Sequence, residues 1–225
     1  MRRALFISLG LAFLLAAACA AAEPTARGPA STGDVLMSDQ VELDYSLGYR
    51  GDKSLELTYA VVNHLKVDVY LFTPLSEFRD QDWEPAPNRV YAHVDEGGVL
   101  QLSKMLWPVP EDVDVYMPEV PYLTRVAPGA KFSEVILIRV PVRTDLPYLF
   151  DDDEDDDEPK KGGALTTVDA VVFSIGYVAP DKSPDELGLK KDATGKLFSI
   201  DYGPGVVNQK IVNGKKTAIK VSVYR

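Results

Sequence analysis

The stretch SLELTYAVVN, residues 54–63, decides the fold. Leu55, Leu57, Tyr59 and Val61 alternate with Glu56, Thr58 and Ala60. A period of two places one set of side chains on a buried face and the other toward water, which is the signature of a strand. The same reading extends outward in both directions. KVDVYLF (66–72) alternates through Val67, Val69 and Leu71. VDAVVFSIGYV (168–178) sets Val171, Phe173, Ile175 and Tyr177 on one side, and TAIKVSVYR (217–225) does so with Ile219, Val221 and Val223. KFSEVILIRV (131–140) is apolar at every position from Val135 to Ile138, which predicts a central strand covered on both faces.

Turn residues punctuate these runs. Gly97-Gly98 predicts a hairpin, Pro128-Gly129 a turn into the most apolar strand, and Asn213-Gly214 a hairpin joining the last two strands. YGPGVVN (202–208) lacks the third glycine of a dinucleotide-binding loop and reads as a turn or bulge. Helix is scarce; SPDELGLKK (183–191) allows one short piece with Ser183 as its cap. Many short strands with regular turns point to an all-β fold, an immunoglobulin-like antiparallel β-sandwich with long loop insertions, with a closed barrel as the alternative.

Two long excursions leave this frame, at 73–88 and at 104–122. They carry Trp83, Trp107 and Tyr116, aromatic anchors that would suit a protein partner because binding residues often ride on loops. The competing reading folds these aromatics back over the open end of the layers, as buried Trp commonly does.

The N-terminal region has the three parts of a secretory leader: Arg2 and Arg3, an apolar run from Ala4 to Leu15, then small residues. The run is shorter than the roughly 20 residues a membrane-spanning helix requires. Cleavage after Ala20 or Ala22 fits a standard signal peptide over residues 1–22. Ala16-Ala17-Ala18-Cys19 also resembles a bacterial lipobox, in which Cys19 would be acylated. Cys19 is the only cysteine, so the body folds without disulfides on either route. Residues 20–34 read as a flexible tether and residues 35–225 as a single domain. The expected location is the periplasm or a membrane reached only through the lipid anchor.

Net charge is −10, and the run DDDEDDDE at 151–158 supplies eight of the negatives. The run lacks the glycine and the spacing of a calcium loop and reads, through residue 163, as a solvated acidic loop. No basic patch faces phosphates, which excludes nucleic acid as a partner.

Catalytic signatures are missing. The two histidines, His64 and His93, stand outside any paired-ligand spacing, and no G-x-S-x-G elbow or Walker A sequence occurs. His93, Met105 and Met117 are soft donors suited to Cu(I), but no close His-x-Met pair is present and blue copper needs a cysteine. Neither a metal nor a cofactor is expected.

The segments LELTYAVVNHLKVDVYLF (55–72) and RVAPGAKFSEVILIRV (125–140) together resemble bacterial immunoglobulin-like domains of the intracellular proteinase-inhibitor type. In that family a strand ends in Asn, here Asn63, and a Pro-Gly turn, here Pro128-Gly129, leads into a long strand. The export leader and the long inserts depart from it. The expectation is therefore a non-enzymatic, exported envelope module, either protein-binding or structural, whose partner is an envelope protein or a cell-wall component. The alternatives are an exported hydrolase with a cryptic active site and a protease inhibitor.

Overall fold

The computed structural model describes residues 31–32, 36–37, 40–148, 163–180 and 184–224. The leader, Cys19, the acidic run and the Ser183 cap lie outside the described residues. The first strands are β1 (Ser31–Thr32), β2 (Leu36–Met37), β3 (Val41–Tyr49), β4 (Ser54–Asn63), β5 (Val69–Leu71), β6 (Leu75–Arg79), β7 (Asp82–Ala86), β8 (Tyr91–Val94) and β9 (Leu100–Lys104). Then come β10 (Thr124–Val126), β11 (Lys131–Arg139), β12 (Val142–Arg143), β13 (Leu165–Val178), β14 (Lys190–Lys191) and β15 (Phe198–Ser199). Among the described residues, a 3-10 helix at Pro184–Leu187, the short piece expected in 183–191, comes before β14, and one α-helix, α1 (Tyr202–Asn208), precedes β16 (Lys210–Asn213) and β17 (Thr217–Tyr224). The described part is thus mostly β, as the alternation predicts.

The first sheet is built on β3 and β4, an antiparallel pair in register from Val41↔Asn63 to Tyr49↔Leu55. Every second residue of each points inward: Val41, Leu43, Tyr45 and Leu47 on β3 lie beside Leu55, Leu57, Tyr59 and Val61 on β4 and line one side of the core. β1 and β2 pair with the outer edge of β3, so the sheet begins inside the segment read as a tether. β11 pairs with β4 alone and forms the other edge. This corrects the expectation for 135–138: the strand is not covered on both faces. Ile136 and Ile138 are buried, whereas Val135 and Leu137 are 52% and 43% exposed.

The second sheet is organised by the 14-residue strand β13. Along one edge lie β17 and β16, both antiparallel to it. Along the other lie β9, parallel, and β5, antiparallel. β8, β10 and β12 extend the sheet outside β9, β5 and β17. The pairings β9–β13 and β12–β17 are parallel, so the sheet is mixed and not the purely antiparallel one expected from the sequence. The chain leaves β9, visits the first sheet through β11 and returns to β13, and such a crossover is what parallel neighbours require. Main-chain bonds of 2.9 and 2.8 Å between Ala92 and Asp145 also tie β8 to the segment after β12, closing the rim of the sheet there.

Asn213-Gly214 is not a hairpin turn. β16 and β17 run end to end along the same edge of β13, with Asn213 opposite Ser174 and Thr217 opposite Val171. Gly214 is needed for closeness: a Cβ there would stand 2.2 Å from the Tyr45 ring and 3.0 Å from the Phe173 carbonyl. The Gly97-Gly98 hairpin does form, between β8 and β9, with Gly98 at φ +74°. Gly129 takes φ +70° in the turn leading into β11, and its N–H donates to the Asn63 carbonyl at 2.8 Å.

Facing side chains of both sheets share the main core. A second core lies on the outer side of the second sheet, where Tyr70, Phe72 and Val178 meet Leu106, Leu123 and Phe198. For this reason Val69 to Phe72 are all buried, and the alternation read in 66–72 fails there. Helix α1 belongs to this cover and corrects the turn expected at 202–208. Its residues pack Tyr202 and Val206 onto the patch, and Gly205 leaves room for Leu106. The excursion at 73–88 is likewise not a loop but the hairpin β6–β7, turned by Asp80 and Gln81 at φ 47° and 72°.

Candidate functional site

Successive residues of a strand point to opposite faces. On β9, Leu100, Leu102 and Lys104 point into the core, while Gln101 and Ser103 point away from it, as does Met105 just beyond the strand. The two faces satisfy their polar groups differently.

Lys104 is fully buried. Its ammonium donates to Glu134 Oε2 at 2.8 Å, the Pro87 carbonyl at 2.7 Å and Thr73 Oγ1 at 3.1 Å, which uses all three N–H groups. The Tyr59 hydroxyl donates to the same Glu134 oxygen. Burial pushes the Lys104 pKa down, against the pull of Glu134. This cluster links both sheets and is complete.

A second polar cluster closes on Arg89. Its Nε and Nη2 donate to the two oxygens of Asp145, both at 3.1 Å, and its Nη1 reaches Glu119 at 2.7 Å and the Ser76 carbonyl at 2.6 Å. The Tyr91 hydroxyl donates to Glu119 at 2.6 Å, and the guanidinium lies 5.3 Å from the Tyr91 ring centre. Burial raises the Glu119 pKa, opposed by Tyr91 and Arg89. The broad groove of about 980 Å³ beside this cluster draws on the same Arg89–Asp145 pair, and its Arg143 stacks on Tyr224 at 5.7 Å.

The outward face of the second sheet is different. Ser103 on β9 and Ser174 on β13 stand side by side in parallel register. Both side chains are short, so they floor a depression of about 340 Å³ walled by His93, Gln101, Met105, Ile211 and Asn213. Ser103 is 2% exposed, yet its Oγ has no hydrogen-bond partner, and neither has the buried Nδ1 of His93. Buried polar atoms normally find partners, so two orphans on residues that line one small cavity single it out. Burial lowers the His93 pKa, with Asp95 opposing, so the ring is held toward its neutral form. Trp107 stands edge-on to His93, with ring centres 5.7 Å apart.

No Ser-His pair is assembled here, because Ser103 Oγ and His93 Nδ1 are each without a hydrogen bond. Of the three soft donors, His93 and Met105 both line the cavity. His93 is paired with Gln101, four residues before Met105, which separates their backbones by about 13 Å along the strand. Met117 is 48% exposed in the segment after β9 and does not line the cavity.

The three aromatics singled out in the sequence have three separate surroundings. Trp83 pairs across its hairpin with Phe78, ring centres 5.3 Å apart, and Phe78 is 51% exposed. Trp107 packs half-buried on Tyr91 and His93. Tyr116 is 99% exposed. Only Trp107 adjoins the cavity. The residues missed in the sequence are Ser103 and Ser174. Each interrupts an apolar run, in VLQLSKML and AVVFSIGYV, and a lone hydroxyl in a central strand was the available signal.

Comparison with protein-family models, with curated proteins and with solved structures gives no match to any of them. The reading of the site therefore stands on its geometry.

Proposed function

We propose that this protein is a non-enzymatic binding module of the bacterial cell envelope that holds a small ligand in the Ser103–Ser174 cavity. The observation that carries this is the pair of buried, unpartnered polar atoms, Ser103 Oγ and His93 Nδ1, on two residues that line one pocket. Such atoms cost the fold about 1–3 kcal/mol each when left unsatisfied, and a ligand recovers that cost on binding. The envelope assignment rests on the leader-like residues 1–22, with Cys19 as the anchor or as part of what is removed.

The half of the fold built from β3, β4 and β11 suits an immunoglobulin-like sandwich. The buried Asn63 amide donates to the Val67 and Val126 carbonyls at 2.9 Å each, and its Oδ1 accepts from the Leu65 N–H, which knits the strand end to the next turn. The second sheet is mixed, and inhibition of a protease is the weaker reading because the leader-like segment and the long inserts depart from that family. The hairpin carrying Phe78 and Trp83 supports a second contact surface for an envelope protein.

The test is a thermal-shift screen of the purified protein against a fragment library of neutral, acidic and basic compounds, alongside a Ser174→Leu variant whose floor is filled. Hits that stabilise the wild type and not the variant are expected. Stabilisation of both proteins alike, or hydrolysis of ester, glycoside or peptide substrates that is lost in His93→Gln, would overturn the reading.

A further inference from the structure

Resting on the reading of the cavity as a binding site, we infer that its ligand is a neutral, polyhydroxylated ring, a single sugar residue held by the face of a sheet. Charge comes first. No lysine or arginine lines the cavity, so a phosphate or carboxylate would be buried without a counter-charge. The one acid at the rim, Asp95, is already engaged by the Val99 N–H at 2.9 Å and the Gln101 side-chain amide at 2.7 Å. Those bonds hold its carboxyl below the usual range, so the rim carries a negative charge that counts further against an anion. The site is electrically unsuited to an anionic ligand.

The hydrogen-bonding groups come second. Ser103 Oγ can both donate and accept, and His93 Nδ1 is unused. Ser174 gives its hydrogen to Asn213 Oδ1 at 2.7 Å and keeps lone pairs. Gln101 gives its amide to Asp95 and keeps its carbonyl oxygen. Donors and acceptors are thus interleaved over a few ångströms. A row of hydroxyls matches that mixture, since each hydroxyl donates and accepts through one atom. Ser103 and Ser174 lie on adjacent strands about 4.8 Å apart, a span that two neighbouring ring hydroxyls can bridge with one hydrogen bond each.

Shape comes third. At about 340 Å³ the cavity is at the small end of ligand pockets, enough for one substituted ring and not for a chain of them. Met105 and Ile211 supply apolar wall for the C–H face of such a ring. Ile211 is 47% exposed, so the rim is open on that side and the rest of a glycan could leave through it.

The experiment is amide-resolved NMR titration of the purified protein with methyl glucoside, methyl galactoside and N-acetylglucosamine, using glucose 6-phosphate and glucosamine as charged controls. At least one neutral sugar is expected to shift the amides of His93, Ser103, Ser174 and Asn213 with millimolar affinity, glucose 6-phosphate to bind at least tenfold more weakly, and glucosamine to bind no more tightly than the neutral sugars. Ser103→Ala should weaken binding about five- to tenfold through loss of one hydrogen bond, and Ser174→Leu should abolish it. If Ser174→Leu does not fold, Asn213→Leu at the exposed rim supplies the same comparison. Shifts that persist in the filled variants, or tighter binding of a charged control, overturn the inference. If every sugar fails while fragments still bind the cavity, the ligand class is wrong and the binding module stands; if fragments fail as well, both fall.

Discussion

Lys104 and Ser103 are neighbours on one strand, and their surroundings differ completely. Lys104 points inward and finds a partner for each of its three N–H groups. Ser103 points outward, is almost as buried, and finds none. In a medium of low dielectric constant a charge without partners is intolerable, so the inward cluster had to be completed for the sheets to pack. A hydroxyl left open costs far less, and such a cost is tolerable where a ligand completes the set. The satisfied cluster joins the two sheets, and the unsatisfied atoms are what the proposed binding site rests on.

The contrast predicts unequal consequences for substitution. Lys104→Ala strands Glu134 and Tyr59 and should cost about 3–5 kcal/mol in urea unfolding. Replacing both ends of the pair, Lys104→Met with Glu134→Leu, should recover most of that loss. A Lys104→Ala cost below about 1 kcal/mol would erase the difference between the two faces.

Gly214→Ala should cost about 1–3 kcal/mol, because the added methyl meets the Tyr45 ring and the Phe173 carbonyl in the inner layer. A neutral result would mean that β16 and β17 can separate from the first sheet without penalty.

Alkaline pH tests the inner cluster in another way. Burial, then the charge of Glu134, raises the Tyr59 pKa well above its ordinary value, and burial with Glu119 does the same for Tyr91. A raised folded-state pKa means that stability is whole below about pH 10 and is lost above it, by up to about 1.4 kcal/mol per pH unit for each such tyrosine. Unfolding midpoints measured from pH 8 to 11 should show the fall, and Tyr59→Phe should make it shallower.

His93 lies on the other face and has the opposite sign. Its pKa is lowered by burial, so the stability it contributes is present above its unfolded value near 6.5 and is lost as pH falls below that. The effect is the smallest of the set. Thermal midpoints between pH 7 and 5 should drop in the wild type and stay flatter in His93→Gln.

Much of the inner architecture was legible in the sequence, because period-two burial on β3 and β4 is a local property that survives folding. The Gly97-Gly98 and Pro128-Gly129 turns were legible because Gly98 and Gly129 take left-handed backbone angles that favour glycine. The errors arose where partners are distant. Val135 and Leu137 are as apolar as any core residue, and only the pairing of β11 with β4 alone reveals that they face outward. Asn213-Gly214 has the composition of a hairpin, yet β13 is long enough to accept both flanking strands on one edge. YGPGVVN has poor helix propensity and becomes helical by covering a patch formed by Tyr70, Phe72 and Leu106. The cavity was hidden for the same reason, since nothing local places Ser103 beside Ser174.

The most direct measurement is equilibrium unfolding of Ser103→Ala against the wild type. If the hydroxyl is kept for a ligand, its removal should leave stability unchanged or raise it by up to about 1 kcal/mol. A loss greater than about 1 kcal/mol would show that the hydroxyl already belongs to the fold, and the cavity would not be a binding site.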